Sequence, residues 1–235
     1  MNKWFSARFF VALVLALLLY GFFMIAHEVI IEQENGFDQH AEAFIAGLRT
    51  PALTHFFAVF TYIGSSYVLL PAYVICIVLF FLAKNKRIAI FTLITGIISI
   101  GILTLAKQSF HRSRPLNPIV HNASGYSFPS GHSMSTLVFF ATLILAIFST
   151  KNMNKTLRVV LCTLLVILCL MIGFSRTYLR VHYASDVLAG YLLGSCYISL
   201  AYYFFYKKAP AVKGEHPSTA RAQDVPADHV PDIAR

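Results

Sequence analysis

The chain has 235 residues, 57% of them hydrophobic and only 12% charged, with a formal net charge of +9. Together with a mean hydropathy of +0.67, this excludes an ordinary water-soluble domain and points to a membrane protein. In a soluble protein the positive balance would suggest nucleic acid; here charges that orient membrane segments account for most of it, so no nucleic-acid partner is expected.

Six uninterrupted apolar stretches follow in chain order, at about Phe9 to Ala26, Phe56 to Ala83, Ile88 to Ala106, Ser133 to Thr150, Val159 to Phe174 and Val187 to Tyr206. Each is near the roughly 20 residues a helix needs to cross a hydrocarbon core, where the backbone must satisfy its own hydrogen bonds. The predicted fold class is therefore all-α: a polytopic membrane protein built as a six-span transmembrane helical bundle. The first stretch follows Lys3 and Arg8, as a signal peptide would, but its apolar core is long and ends in Met-Ile-Ala-His-Glu without an Ala-x-Ala-like cleavage site, so it reads as a span. The second is long and carries Pro71, which predicts a kink or an interfacial first turn before Gly64. The fifth is short and bounded by Arg158 and Arg176, with Arg158 reaching toward the interface. Residues 1–206 form one predicted domain. The remainder, 207–235, is polar, proline-rich and without apolar periodicity, and is predicted to be a disordered cytoplasmic tail. Cys76, Cys162, Cys169 and Cys196 all fall inside spans without metal or redox spacing and read as packing residues.

Orientation comes from the short loops. With both termini cytoplasmic, the inner segments hold Lys3, Arg8, Lys84, Lys86, Arg87, Lys151, Lys155, Arg158, Lys207 and Lys208, the expected excess. The outer segments hold Glu32, Glu34, Asp38 and Glu42 with Arg49, and then Lys107, Arg112, Arg114, Arg176 and Arg180. The last five run against the rule and call for another reason to lie on the translocated side.

Taken singly, these residues have plain alternatives. Lys107 and Arg114 suit interfacial anchors, Ser130-Gly131 a turn and helix cap, and His132 a cap residue. His182 and Asp186 are four apart, which stacks them on one helical face if the last helix begins around Tyr183; the bland version is an exposed contact at a helix start. A carboxylate on one imidazole nitrogen fixes the tautomer and leaves the other lone pair free to attack. Jointly, His132, His182, Asp186, the cations Lys107, Arg114 and Arg176, and a glycine turn opening a helix are the parts for phosphoryl transfer without metal or cofactor. The helix start attracts an anion, and the three cations share the charge of the phosphoryl oxygens as magnesium does elsewhere. Arg112, Arg180, Tyr126, Ser127 and Tyr183 are close in sequence, but arginine and tyrosine are common at membrane interfaces, and they are left outside this set. His27, His40, His55, His111 and His121 have no spacing partner.

Three segments, Lys107-x6-Arg114-Pro115, Pro129-Ser130-Gly131-His132 and Ser175-Arg176-x5-His182-x3-Asp186, resemble without departure the signature of the type 2 phosphatidic acid phosphatase family, which shares its site with vanadium haloperoxidases and glucose-6-phosphatase. The likeness covers roughly Lys107 to Asp186; in the first two spans and the tail it is one of layout only. It implies that His182 is the nucleophile, forming a phosphohistidine, that Asp186 orients it, and that His132 protonates the leaving oxygen and then activates water. Lys107, Arg114, Ser130, Gly131 and Arg176 would hold the phosphoryl oxygens, with no metal. A phosphate site level with the outer headgroups of a bacterial inner or plasma membrane would meet a lipid phosphate or pyrophosphate: undecaprenyl pyrophosphate, phosphatidylglycerol phosphate, phosphatidate or a lipid A phosphate. Two other classes use the same residues. A lipid phosphotransferase would pass the group to an acceptor other than water. A non-catalytic membrane anion-binding or transport protein would carry ionisable residues inside its spans, whose interiors here are free of charge.

Overall fold

The computed structural model describes residues 3–32, 36–120 and 124–207, with side chains for 9–205 among them. The tail from 208 onward, Glu34, His121 and the side chains of Lys3, Arg8 and Lys207 lie outside the described residues. Among the described residues the chain is all helical: α1 (Lys3–Ala26), α2 (Gly36–Ala46), α3 (Pro51–Phe60), α4 (Ser66–Leu82), α5 (Lys86–Phe110), α6 (Gly131–Ser149), α7 (Lys155–Tyr178) and α8 (Ala184–Tyr202). A π turn, His27–Ile31, extends α1, and a 3-10 turn, Thr61–Gly64, follows α3.

Among the described residues, five helices are long and apolar enough to cross a membrane: α1 with its π turn, α5, α6, α7 and α8 with its following turn. The remaining predicted span is divided. Its first part belongs to α3, which with α2 forms a pair bent by 119°. Its second part is α4, whose 17 residues span about 25 Å at helical rise. The break falls at Ser65, in extended conformation with ψ 157°, and Pro71 lies inside a continuous helix. Close packing explains the position: a Cβ on Gly64 would lie 2.5 Å from Ile172 Cγ2 and 3.0 Å from His132 Cδ2. Only glycine lets the chain slip between α6 and α7 there. The fifth predicted span is likewise longer than its apolar core, since α7 runs through both Arg158 and Arg176 and starts from an Asn154 cap that accepts from Thr156 and Leu157 N–H groups.

Every helix from α5 to α8 antiparallels its neighbour, so the end of α5, the start of α6, the end of α7 and the start of α8 meet at one end of the bundle. Helices α2 and α3 lie at that end too, where Arg49 donates to Tyr178 O at 3.1 Å and the Thr50 amide donates to the Tyr178 hydroxyl. The loops rich in Lys and Arg, between α4 and α5 and between α6 and α7, are at the other. Phe22, Ala26 and Val29 of α1 and its π turn pack with Phe128 and Ala189 in one core cluster, so the first segment is part of the bundle. A second cluster joins Ile45, Phe57, Tyr178, Leu179 and Val181 beneath α2 and α3. Helix α8 crosses the start of α6 at Gly190, where a Cβ would meet Ser130 O at 2.7 Å. This close crossing brings the first turns of α6 and α8 together. Of the cysteines, Cys169 and Cys196 are buried, and all four are free thiols.

Candidate active site

Lys107 is in the last turn of α5, and its Nζ donates to Tyr126 O at 2.6 Å, tying the helix end to the loop that precedes α6. Arg114, seven residues on, gathers the same loop. Its Nε donates to Gly125 O at 3.0 Å and its Nη2 to Ser124 O at 2.9 Å. Its Nη1 donates to Val181 O at 2.7 Å and approaches His182 Nε2 at 3.2 Å.

Ser130 caps α6 and is fully buried; its hydroxyl accepts from Ser133 Oγ at 3.0 Å and from the Ser133 amide, leaving its own proton to donate. Its amide is committed to Asp186 O at 2.9 Å, and the Met134 amide to Ser130 O. Of the first-turn amides, which have no partner within a helix, those of Gly131 and His132 are the ones an anion would meet. The Ser130 N–H is therefore not an anion donor.

Arg176, in the last turn of α7, is 6% exposed; its Nη1 donates to Thr61 Oγ1 at 2.8 Å and its buried Nε has no hydrogen-bond partner. A buried guanidinium N–H without an acceptor is costly unless an anion meets it. The backbone carbonyl of Arg176 accepts from both Val181 and His182, which folds the short α7–α8 connection back toward the bundle.

His182 precedes α8, which starts at Ala184 with Tyr183 as its cap. His182 thus lies before the cap, and it and Asp186 do not stack on one helical face as their spacing suggested. Asp186 is instead in the first turn, where its Oδ2 reaches back to accept from the Tyr183 amide at 3.0 Å and from His182 Nδ1 at 3.3 Å. Arginine only donates, so His182 Nε2 must be the acceptor opposite Arg114, and the ring proton sits on Nδ1, facing Asp186. Burial pushes the His182 pKa down to about 4 against the opposing pull of Asp186, so the imidazole is neutral at physiological pH. Burial also lowers the Arg114 pKa against the opposing pull of Asp186. His132 follows Gly131 in the first turn of α6, and a Cβ on Gly64 would lie 3.0 Å from its Cδ2.

All eight sequence-selected residues thus converge at one end of the bundle. Among the described residues, no three His, Cys, Asp or Glu side chains gather in a metal-binding group. The positive charge facing His182 comes from Arg114, and the negative charge from Asp186.

Arg112, left aside as an interfacial residue, is in fact buried at 8% exposure: its Nη1 donates to Asp186 Oδ1 at 2.6 Å and its Nη2 to Asp38 Oδ2 at 2.8 Å. Burial lowers its pKa, but the charges and hydrogen bonds of Asp186 and Asp38 outweigh this and hold it above the ordinary arginine value. Thr61, which anchors Arg176, also escaped the sequence. Nothing in the sequence set Asp38 apart from Glu32, Glu34 and Glu42, and the one available signal for Arg112 was its place two residues before Arg114. A cavity of about 230 Å³ opens beside His182, bounded by Asp38, Glu42, Pro115, Arg180 and Tyr183.

The chain is similar to a phosphatidylglycerophosphatase B of Bacillus subtilis, with 32% identity over 63% of this chain and 72% of the relative. It is also similar to an undecaprenyl-diphosphatase of Sulfolobus acidocaldarius, with 28% identity over 70% of this chain and 76% of the relative. Among solved structures, a transmembrane PAP2-type phosphatidylglycerolphosphate phosphatase from Bacillus subtilis superposes with a TM-score of 0.76 at 24% identity, covering 83% of this chain and 97% of that one. Aquifex aeolicus LpxE superposes with a TM-score of 0.55 at 24% identity, over 70% of this chain and 94% of that one. These superpositions establish a common fold. Residues 85–210, more than half the chain and including every residue of the three motif segments, match the PAP2 superfamily, and the chain belongs to that family.

Proposed function

We propose that this chain, an integral membrane lipid phosphatase of the PAP2 type, hydrolyses the terminal phosphate of a phospholipid or prenyl diphosphate at the outer membrane face through a phosphohistidine. The observation that carries this is the pairing of His182, with Nδ1 on Asp186 and Nε2 toward Arg114. It supports a neutral imidazole with its attacking lone pair directed at the place where cations gather.

Lys107, Arg114 and Arg176 would hold the non-bridging oxygens with the Gly131 amide and the Ser130 hydroxyl. His182 Nε2 attacks phosphorus in line and the bond to the lipid oxygen breaks. His132 gives that oxygen its proton. The His182 ring, now bearing positive charge, is steadied by Asp186. Water then attacks the phosphohistidine as His132 takes back a proton, the P–N bond breaks, and inorganic phosphate leaves with His182 neutral again. In this scheme no step requires a metal. The acidic first outer loop and the grooves between helices would select the lipid chain, with phosphatidylglycerol phosphate and undecaprenyl diphosphate favoured by the relatives' activities. The positive loops at the opposite end of the bundle support a cytoplasmic location for both termini and the outer face for the site.

Purified protein in detergent, given a panel of these lipids and phosphatidate with chelator present, is expected to release inorganic phosphate at the rate seen without chelator. Activity that collapses under chelation would contradict the metal-free scheme. Equal rates from wild type and His182→Ala would overturn the phosphatase assignment to this site.

A further inference from the structure

Among the described residues of the first outer segment, Asp38 is the one buried carboxylate, 5% exposed, on a helix that carries none of the motif residues. Its Oδ2 accepts from Arg112 Nη2 at 2.8 Å and from Ser185 Oγ, and its Oδ1 from the Ser185 amide at 2.9 Å. Ser185 adjoins Asp186 in the first turn of α8, so Asp38 pins α2 to the turn that holds the His182 partner.

We propose that Asp38 is a positioning residue for the His182–Asp186 pair, acting through Arg112. The inference rests on the phosphohistidine reading above. The two terminal nitrogens of Arg112 reach different carboxylates, Nη1 to Asp186 and Nη2 to Asp38, and its carbon lies 4.1 Å from the centre of the Tyr183 ring. Held at both ends and against one face, the guanidinium cannot rotate, and Asp186 Oδ2 is thereby kept toward His182. Charge matters as much as aim. A lone guanidinium 2.6 Å from Asp186 would draw off the negative charge that must steady His182 as it becomes phosphorylated. The second carboxylate balances Arg112 and leaves that charge available. The network lies between α2, the loop after α5 and α8, so a segment outside the family match at residues 85–210 completes the catalytic geometry.

The test is a double-mutant cycle in the purified full chain, with steady-state phosphate release and quenched-flow phosphoenzyme formation as readouts. Asp38→Asn keeps the shape and removes the charge. It is expected to lower kcat by about 10- to 100-fold with KM little changed, through slower phosphorylation of His182. In an Arg112→Met background the same substitution is expected to add less than about threefold, because its route of action is gone. A wild-type kcat in Asp38→Asn, or an equal loss in both backgrounds, overturns the proposal; the second outcome means that Asp38 acts by docking α2. Should Asp38→Asn not survive extraction, Arg112→Lys keeps the cation but cannot bridge two carboxylates, and the same kcat loss at constant KM is expected; wild-type kcat there is equally contrary. Wild type compared with His182→Ala tests the phosphatase reading independently. If those two are equal, both readings fall; if they differ while Asp38→Asn matches wild type, only this one does.

Discussion

Replacing His182 by alanine is expected to bring phosphate release down to the detergent blank on every lipid tested, a loss on the order of the ~10⁶-fold seen when a covalent nucleophile is removed. The size follows from the chemistry. Alanine leaves the cations in place, since Lys107 and Arg114 are held mainly by backbone carbonyls and Arg176 by Thr61. Binding of lipid phosphate should therefore persist while the atom that accepts the phosphoryl group is gone. The checking measurement is phosphate release together with lipid binding in the same preparation. Lost turnover with retained binding is the expected pattern. The His182 side chain is 3% exposed and its loss opens a small cavity, so thermal unfolding of the variant in detergent is the control.

His132→Ala is expected to lower turnover by about 10²- to 10⁴-fold, the usual worth of a positioned general acid and base, with binding largely intact. Its dependence on the leaving group is the sharper readout. A lipid alkoxide needs a proton as it departs, whereas an aryl phosphate leaves a stable phenolate. With an aryl phosphate the first step should be nearly normal and the second slow, because no base remains to activate water. The phosphohistidine then accumulates, and quenched-flow labelling should show a burst approaching one phosphate per active site. Equal losses on lipid and aryl substrates, with no burst, would remove His132 from both roles. The packing around it also bears on the result: Gly64 and Ile172 press on the same region, so the void left by alanine has limited room to collapse.

Much of the candidate site was legible in the sequence because the phosphoryl chemistry proposed for it needs particular residue types and tolerates few substitutes. A histidine paired to a carboxylate, cations where topology would not put them and a glycine opening a helix are each ordinary, but together they are specific. Their convergence follows from alternation: successive spans reverse direction, so the Lys107, Ser130, Arg176 and Asp186 ends must meet. What escaped notice depends on contacts between distant segments. Asp38 meets Arg112 across 74 residues and Arg176 meets Thr61 across 115, and nothing local distinguishes such partners from an interfacial charge or a span threonine. Hydropathy also misplaced boundaries for a physical reason. It registers where side chains become polar, while helices end where backbone hydrogen bonding ends. Thus α7 continues through Arg176, and the Phe56 to Ala83 stretch, for which a kink or an interfacial first turn before Gly64 was expected, breaks at Ser65 while Pro71 lies within an unbroken helix. The His182–Asp186 spacing pointed to a true pair by way of the wrong geometry, since the capping turn of α8, and not a helical face, brings them together.

The whole account depends on one phosphorus centre being shared by both histidines. Vanadate, whose five-coordinate geometry imitates the transition state, should bind in this site and inhibit, and a structure of the vanadate complex tests the claim most directly. The account predicts vanadium bonded to His182 Nε2, His132 facing the opposite apical oxygen, and Lys107, Arg114, Arg176 and the Gly131 amide on the equatorial oxygens. Vanadate bound away from His182, or within reach of only one of the two imidazoles, would contradict it.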